Sequence, residues 1–181
     1  MPSKLKKTVV LVGMMGSGKT AIGTNLARRL GVPFLDSDAE IVAASNMTIA
    51  EIFARDGEAF FREKETQVIE RLLRGRPGVL STGGGAYLNP RNRAAIAEAG
   101  IAVWLRADLD LLWSRVRHKT TRPLLLTDNP FATLAEIYEA RVPEYAKAEL
   151  AVDADAAYSI EDMTDKVIAV LKTRPDVLEI A

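Results

Sequence analysis

Hydrophobic and polar residues along the chain follow two periods, one typical of strands and one typical of helices. The run Thr8–Val12 is apolar and β-branched through most of its length, which predicts a buried strand. After a glycine-rich turn, Ile22, Leu26 and Leu30 recur every four residues and would lie on one face of a helix. The first thirty residues therefore predict a strand, a turn and a helix.

The same alternation continues to the end of the chain. Further strands are predicted at residues 32–36, 79–81, 101–105 and 150–152. Further helices are predicted at residues 37–45, 48–55, 58–74, 90–99, 109–116, 132–148 and 160–172. Alternating strands and helices favour an α/β fold with a central parallel sheet between two layers of helices, a three-layer α/β/α arrangement.

Local signals set several of the predicted boundaries. Thr48 and Glu51 have the spacing of a capping box, and Asn89 followed by Pro90 is a typical helix start. Residues 118–131 are predicted to form a polar loop with several prolines, and a loop of this length in a compact domain is typically a lid, a binding loop or a disordered segment. We expect the residues after the last helix to be peripheral.

Composition narrows the class of protein. A chain of 181 residues with 48% hydrophobic residues is most simply one folded domain over residues 1–181. Lys plus Arg and Asp plus Glu balance at 24 each, so no overall field favours nucleic acid or an anionic membrane. The chain has no cysteine, which excludes disulfides and a cysteine nucleophile, and no apolar run of membrane-spanning length. We expect a cytoplasmic protein.

The residues from Gly13 to Thr20 fit the phosphate-binding pattern G-x-x-x-x-G-K-[ST] between a predicted strand and a predicted helix. Glycines let successive backbone N–H groups point at one anion, and the helix N-terminus adds partial positive charge. Lys19 would reach the β- and γ-phosphates, and the Thr20 hydroxyl would bind Mg²⁺. The alternative is a chance glycine-rich turn, but the Lys-Thr pair and the flanking elements favour a nucleotide-phosphate site.

Two further groups of residues follow predicted strands directly. In parallel sheets, ligands bind beyond the carboxyl ends of the strands, so Asp36, Asp38 and the run Gly83–Gly85 should meet the phosphate loop at one crevice. One aspartate would hold Mg²⁺ through water, and the other would orient an alcohol that attacks the γ-phosphoryl group. Either aspartate could instead only cap the next helix. The glycines permit close backbone approach and positive φ.

The arginines are ambiguous from the residues alone. Arg62 has Glu58 and Glu65 within one helical turn and could pair with them on a solvated face. Arg122 lies in the long loop, where a mobile guanidinium could close over phosphates, and Arg141 has no distinguishing neighbour in the sequence. Each of the three could equally be an ordinary surface charge.

With these pieces together, the chain resembles the shikimate kinase family of small P-loop kinases along almost its whole length. The resemblance rests on motifs in a fixed order: Gly13-Met-Met-Gly-Ser-Gly-Lys-Thr20, Phe34-Leu-Asp-Ser-Asp38, Phe61-Arg-Glu-Lys-Glu65, Ser81-Thr-Gly-Gly-Gly85, Arg122-Pro-Leu-Leu125, and Arg141 ahead of Tyr145. It implies a P-loop NTPase fold similar to the nucleoside monophosphate kinases, and transfer of the γ-phosphoryl group of ATP to the 3-hydroxyl of shikimate.

The resemblance also implies a role for particular residues. Asp38 would meet the acceptor hydroxyls as the base or orienting group, and Lys19 and Arg122 would complete the catalytic set. Acceptor contacts would come from Asp38, Arg62, Gly84, Gly85 and Arg141; nucleotide contacts would come from Gly16, Ser17, Gly18, Lys19, Thr20, Ala21, Arg115 and Arg122. Thr20 and Asp36 would serve Mg²⁺. The acceptor-binding region would span about residues 37–75 and the lid about 117–129, in a monomer.

Three alternative functions remain to be weighed: another small-molecule kinase, a nucleotide switch and an ATPase domain. Gluconate kinase shares the loop and the size but lacks this combination of Asp-Ser-Asp with Phe-Arg-Glu-Lys-Glu. A GTPase switch would need a base-reading Asn-Lys-x-Asp, which the sequence does not contain. An ATPase domain of a larger machine would need appended modules that a chain of 181 residues does not offer.

Overall fold

The computed structural model describes residues 3–118 and 126–180. Its strands are β1 (Ser3–Leu5), β2 (Thr8–Val12), β3 (Phe34–Asp36), β4 (Val79–Ser81), β5 (Gly100–Arg106), β6 (Leu150–Asp153) and β7 (Leu178–Ile180). Its α-helices are α1 (Lys19–Leu30), α2 (Ser37–Ser45), α3 (Ile49–Asp56), α4 (Glu58–Leu73), α5 (Pro90–Ala99), α6 (Leu109–Val116), α7 (Pro130–Tyr145) and α8 (Ile160–Leu171). A short 3₁₀ turn covers Ala86–Leu88.

The main sheet contains five parallel strands in the order β3-β4-β2-β5-β6. The central strand β2 pairs on both sides, with Val10 opposite Leu80 of β4 and opposite Ala102 of β5. Every residue of β2 is buried, as expected for a parallel strand covered on both faces. The predicted α/β class is confirmed.

Alternate residues of the strands point to opposite faces, and each face has its own core. Val10 of β2 packs in the cluster that includes Ile69 of α4 and Leu112 of α6. The neighbouring Val9 packs in a second cluster with Leu26 of α1. The sheet is therefore the middle layer of three, as the alternation of elements predicted.

Local capping signals position the helix starts. The Thr48 Oγ1 accepts from the Glu51 N–H at 3.1 Å, and Glu51 Oε1 accepts from the Thr48 N–H at 3.2 Å, which confirms the capping box. Helix α7 begins two residues earlier than predicted because Asn129 caps it, accepting from the Ala132 N–H at 3.1 Å. Among the described residues, no helix combines the length and apolar character that a membrane span requires.

The end of the chain is not peripheral, and that prediction was wrong. Strand β7 pairs antiparallel with β1, with Lys4 opposite Glu179. Val177 and Leu178 are 0% and 2% exposed and belong to the core on the α1 side. Neither strand was predicted from the sequence, because each is a three-residue segment that contains a charged residue and no apolar run.

Candidate active site

Strand β2 leads directly into the phosphate loop, whose backbone requires glycine. Gly16 and Gly18 have φ of +83° and +93°, in the left-handed region that side chains disfavour. A Cβ on Gly16 would also lie 2.7 Å from Cγ1 of Val116, so α6 packs directly on the loop. Gly18 caps α1 without any side-chain hydrogen bond, which leaves the first N–H groups of the helix for an anion.

Two basic side chains hold the shape of this loop. The Lys19 Nζ donates to the carbonyl oxygens of Gly13 at 2.7 Å and Met14 at 3.1 Å. Arg115, on α6, donates from Nη1 to the carbonyl oxygen of Gly16 at 3.0 Å. The structure therefore places Arg115, which was predicted to contact the nucleotide, beside the loop, although 99 positions separate Arg115 from Gly16 in the sequence.

Other residues of the predicted phosphate site differ in exposure. Thr20 and Ala21 are exposed at the start of α1. Ser17 is buried, and its Oγ has no hydrogen-bond partner among the described residues. Of these two hydroxyl residues, Thr20 is the exposed one.

The two aspartates after β3 have different surroundings. Asp36 caps α2, with its Oδ1 accepting from the N–H groups of Asp38 at 2.9 Å and Ala39 at 3.1 Å. Asp38 caps nothing; its Oδ1 is buried and lacks a hydrogen-bond partner within the described part of the chain. Burial raises the pKa of Asp38, the Asp36 charge adds to this, and the Lys19 and Arg62 charges oppose it. Asp36 therefore does cap the following helix, and Asp38 does not.

The three glycines after β4 make room for three charged side chains. A Cβ on Gly83 would lie 2.8 Å from Oδ1 of Asp38. A Cβ on Gly84 would lie 2.5 Å from Nη1 of Arg141, and one on Gly85 would lie 2.5 Å from Nη2 of Arg62. None of the three glycines has a positive φ, so that part of the prediction was wrong. Glycine is needed here for close approach, not for backbone conformation.

Arg62 is held by a buried carboxylate. Its Nη1 lies 3.0 Å from Oε1 of Glu65, and the Glu65 side chain is 1% exposed. Burial raises the pKa of Glu65, while the charge and hydrogen bond of Arg62 lower it. The solvated-face interpretation of Arg62 is therefore wrong. The spacing of Arg62 and Glu65 predicted their pairing, but the burial of the Glu65 carboxylate depends on tertiary packing.

A cleft of about 1370 Å³ joins these groups. Its lining includes the predicted residues Gly16, Gly18, Lys19, Thr20, Ala21, Asp36, Asp38, Arg62, Gly83, Gly84, Gly85, Arg115 and Arg141. Arg122 and most of the predicted lid, about residues 117–129, lie outside the described residues.

Two groups of residues in the cleft wall were not named from the sequence. Apolar side chains of α3 and α4, among them Phe53 and Phe61, line the cleft within the predicted acceptor-binding region of about residues 37–75. The start of α8, from Tyr158 to Ile160, lines the cleft with Met163. The capping box of Ser159 and Asp162 predicts that helix start, but nothing in the sequence places it near the phosphate loop.

The parallel sheet, the phosphate loop and the cleft facing it together define a P-loop kinase. Residues 15–172 match the family model described as shikimate kinase. A shikimate kinase from Ruegeria pomeroyi is 66% identical over 177 residues, which cover 98% of this chain and 91% of the relative. A shikimate kinase from Cereibacter sphaeroides is 64% identical, covering 98% of this chain and 88% of the relative.

Solved structures give the same result. The structure titled as shikimate kinase from Acinetobacter baumannii in complex with shikimate superposes with a TM-score of 0.86 and 36% identity, covering 93% of this chain and 94% of that one. The chain therefore belongs to the shikimate kinase family.

Proposed function

We infer that this protein catalyses the ATP-dependent phosphorylation of the 3-hydroxyl of shikimate, giving shikimate 3-phosphate and ADP, in aromatic amino-acid biosynthesis. The observation that carries this inference is the arrangement of the cleft. It has a phosphate loop on one side, two arginines against a glycine turn on the other, and the Asp38 carboxylate among the lining groups. An anionic alcohol suits that arrangement, because arginine binds a carboxylate with two parallel hydrogen bonds.

On the nucleotide side, we propose that the N–H groups from Gly16 to Ala21 bind the phosphates of ATP. Lys19 lies at the same loop and would add a positive charge next to the β- and γ-phosphates. Arg115 would contact the nucleotide from α6, and Arg122 would approach the transferred group from the lid. These assignments are supported by the loop geometry and, for Arg122, by the family motif.

The donors near the loop fit Mg²⁺, which prefers a few protein oxygens together with phosphates. Thr20 is exposed at the cleft and would bind the ion directly. Asp36 accepts both backbone N–H groups at Oδ1, which leaves Oδ2 for a water-mediated contact. When bound, the ion supplies positive charge that stabilises the transferring phosphoryl group.

On the acceptor side, we propose that Arg62 and Arg141 bind the shikimate carboxylate and that Gly84 and Gly85 offer backbone contacts. The acceptor 3-oxygen forms a bond to the γ-phosphorus, the bond from that phosphorus to the β–γ bridging oxygen of ATP breaks, and the hydroxyl proton passes to Asp38. A buried carboxylate with a raised pKa is a stronger base than an exposed one, and Lys19 and Arg62 favour its ionised form.

A coupled ATP assay with three acceptors tests this function: shikimate, gluconate and a nucleoside monophosphate, each with and without Mg²⁺. We expect ADP release only with shikimate and Mg²⁺. Turnover with gluconate instead would overturn the acceptor assignment, and tight GTP binding without turnover would favour a nucleotide switch. We also propose a cytoplasmic monomer, which size-exclusion chromatography with light scattering tests for its oligomeric state.

A further inference from the structure

Tyr145 connects the hydrophobic core to the acceptor side of the cleft. It is the last residue of α7 and is 1% exposed. Its ring packs in the core near Trp104 of β5, with 6.1 Å between ring centroids. Its hydroxyl donates to the carbonyl oxygen of Gly84 at 2.5 Å. A side chain that is fixed in the core therefore reaches the backbone of the glycine turn.

Arg141 lies one helical turn before Tyr145 and contacts the same glycine. Its Nη1 lies 2.5 Å from the point where a Cβ on Gly84 would stand, and the Tyr145 hydroxyl oxygen lies 3.8 Å from that point. The positive charge of Arg141 acts on the Tyr145 hydroxyl and opposes the rise of its pKa. The phenol therefore donates to the Gly84 carbonyl while the guanidinium lies against the same glycine.

The phenol can donate because it keeps its proton. Burial raises the pKa of Tyr145 above its usual value of 10.0, and this effect outweighs the opposing charge of Arg141. The hydroxyl is thus a neutral donor across the working pH range, and its donor role does not depend on pH.

We propose that Tyr145 is a positioning residue that fixes the Gly84 backbone and the Arg141 guanidinium in one geometry at the acceptor carboxylate. This inference rests on the proposed function, which assigns both groups to shikimate. Without the hydroxyl, the Gly84 carbonyl loses its donor and the guanidinium of Arg141 loses a polar neighbour at the same glycine, while the ring still fills its place in the core.

The variant Tyr145→Phe removes only the hydroxyl, and Tyr138→Phe on the same helix is the matched control because Tyr138 is partly buried. Steady-state kinetics and Tm are measured for both variants and the wild type. We expect Tyr145→Phe to raise the KM for shikimate by about five- to tenfold, the scale of one lost hydrogen bond, with the KM for ATP within about twofold. The control should leave both KM values unchanged.

Three results would overturn the positioning role. One is an unchanged KM for shikimate, and another is an equal rise in both KM values that follows a fall in Tm. The third would come from a double-mutant cycle with Arg141→Lys. In the Arg141→Lys background we expect Tyr145→Phe to raise the KM for shikimate by less than about twofold. A rise as large as in the wild-type background would mean that Tyr145 does not act with Arg141.

Two further measurements keep the outcomes distinct. If Tyr145→Phe is unstable at the assay temperature, shikimate affinity is measured in the cold through tryptophan fluorescence, and a wild-type affinity there would overturn the inference. If the wild type phosphorylates shikimate and Tyr145→Phe shows the same kinetics, this inference is overturned but the proposed function stays intact. A wild type without shikimate turnover would overturn both.

Discussion

Arg62 occupies the space that a side chain on Gly85 would fill, with Nη2 2.5 Å and Nη1 2.8 Å from the position of an added Cβ. The same guanidinium pairs with the buried carboxylate of Glu65 at 3.0 Å. The guanidinium lies between the buried carboxylate of Glu65 on one side and the backbone of Gly85 on the other. The absence of a side chain at Gly85 therefore sets the position of Arg62.

A methyl group at Gly85 should displace Arg62. We expect Gly85→Ala to raise the KM for shikimate by about tenfold or more, because the guanidinium must move from its place, and to leave the KM for ATP within about twofold. Gly75→Ala is the control: Gly75 is exposed, and its added methyl would meet only the Leu72 carbonyl oxygen at an ordinary 3.4 Å. A Gly85→Ala enzyme with wild-type kinetics would contradict the arrangement.

Asp38 should matter for turnover far more than for nucleotide binding. We expect Asp38→Asn to lower kcat by about 100-fold or more, because an amide cannot accept the hydroxyl proton, while the Kd for ATP changes by less than about twofold. Stopped-flow turnover and isothermal titration measure the two quantities. Asp110→Asn, at an exposed position on α6, should change neither. Retained turnover in Asp38→Asn would remove Asp38 from the mechanism.

The buried Asp38 should also make stability depend on pH. Its pKa is raised in the folded protein, so the neutral carboxyl group persists above the usual value of 3.8. Its contribution to stability is fully present below 3.8 and is lost as pH rises through the folded pKa. Asparagine stays neutral. We expect Asp38→Asn to exceed the wild type in Tm at pH 7 by about 2–4 °C and to match it near pH 4. Thermal melts from pH 4 to pH 7 measure the difference in Tm between the two proteins. A difference that grows toward low pH would contradict the prediction.

The pairing of the chain ends should contribute to stability without affecting the chemistry. Leu178 is 2% exposed, so Leu178→Ala should lower the free energy of unfolding by about 2–4 kcal/mol through the cavity it leaves. Ile180, two residues on, is 50% exposed, and Ile180→Ala should cost less than about 0.5 kcal/mol. Urea unfolding measures both changes. Equal losses of unfolding free energy in the two variants would show that burial does not determine the contribution of β7 side chains to stability.

Much of the fold is predictable because its signals are local. The apolar run of β2, the four-residue spacing in α1 and the caps at Thr48 and Asn89 each involve residues close in sequence. The β1–β7 pair is not predictable in this way. It joins the two ends of the chain through strands of three residues, whose partners can be identified only when they are packed together.

For the site, the sequence by itself determined the phosphate loop from Gly13 to Thr20, since a contiguous backbone and its glycines suffice to form it. It also determined that Asp36, Asp38 and the glycine run follow strands and therefore share one edge of the sheet.

Only the tertiary structure decided which aspartate caps a helix and which keeps a buried carboxylate oxygen without a partner among the described residues. It also decided that the Glu65 partner of Arg62 is buried and that Tyr145 reaches Gly84. The physical reason is that burial, charge pairing and close approach depend on residues far apart in the chain, and the energy of each contact exists only once the layers have packed.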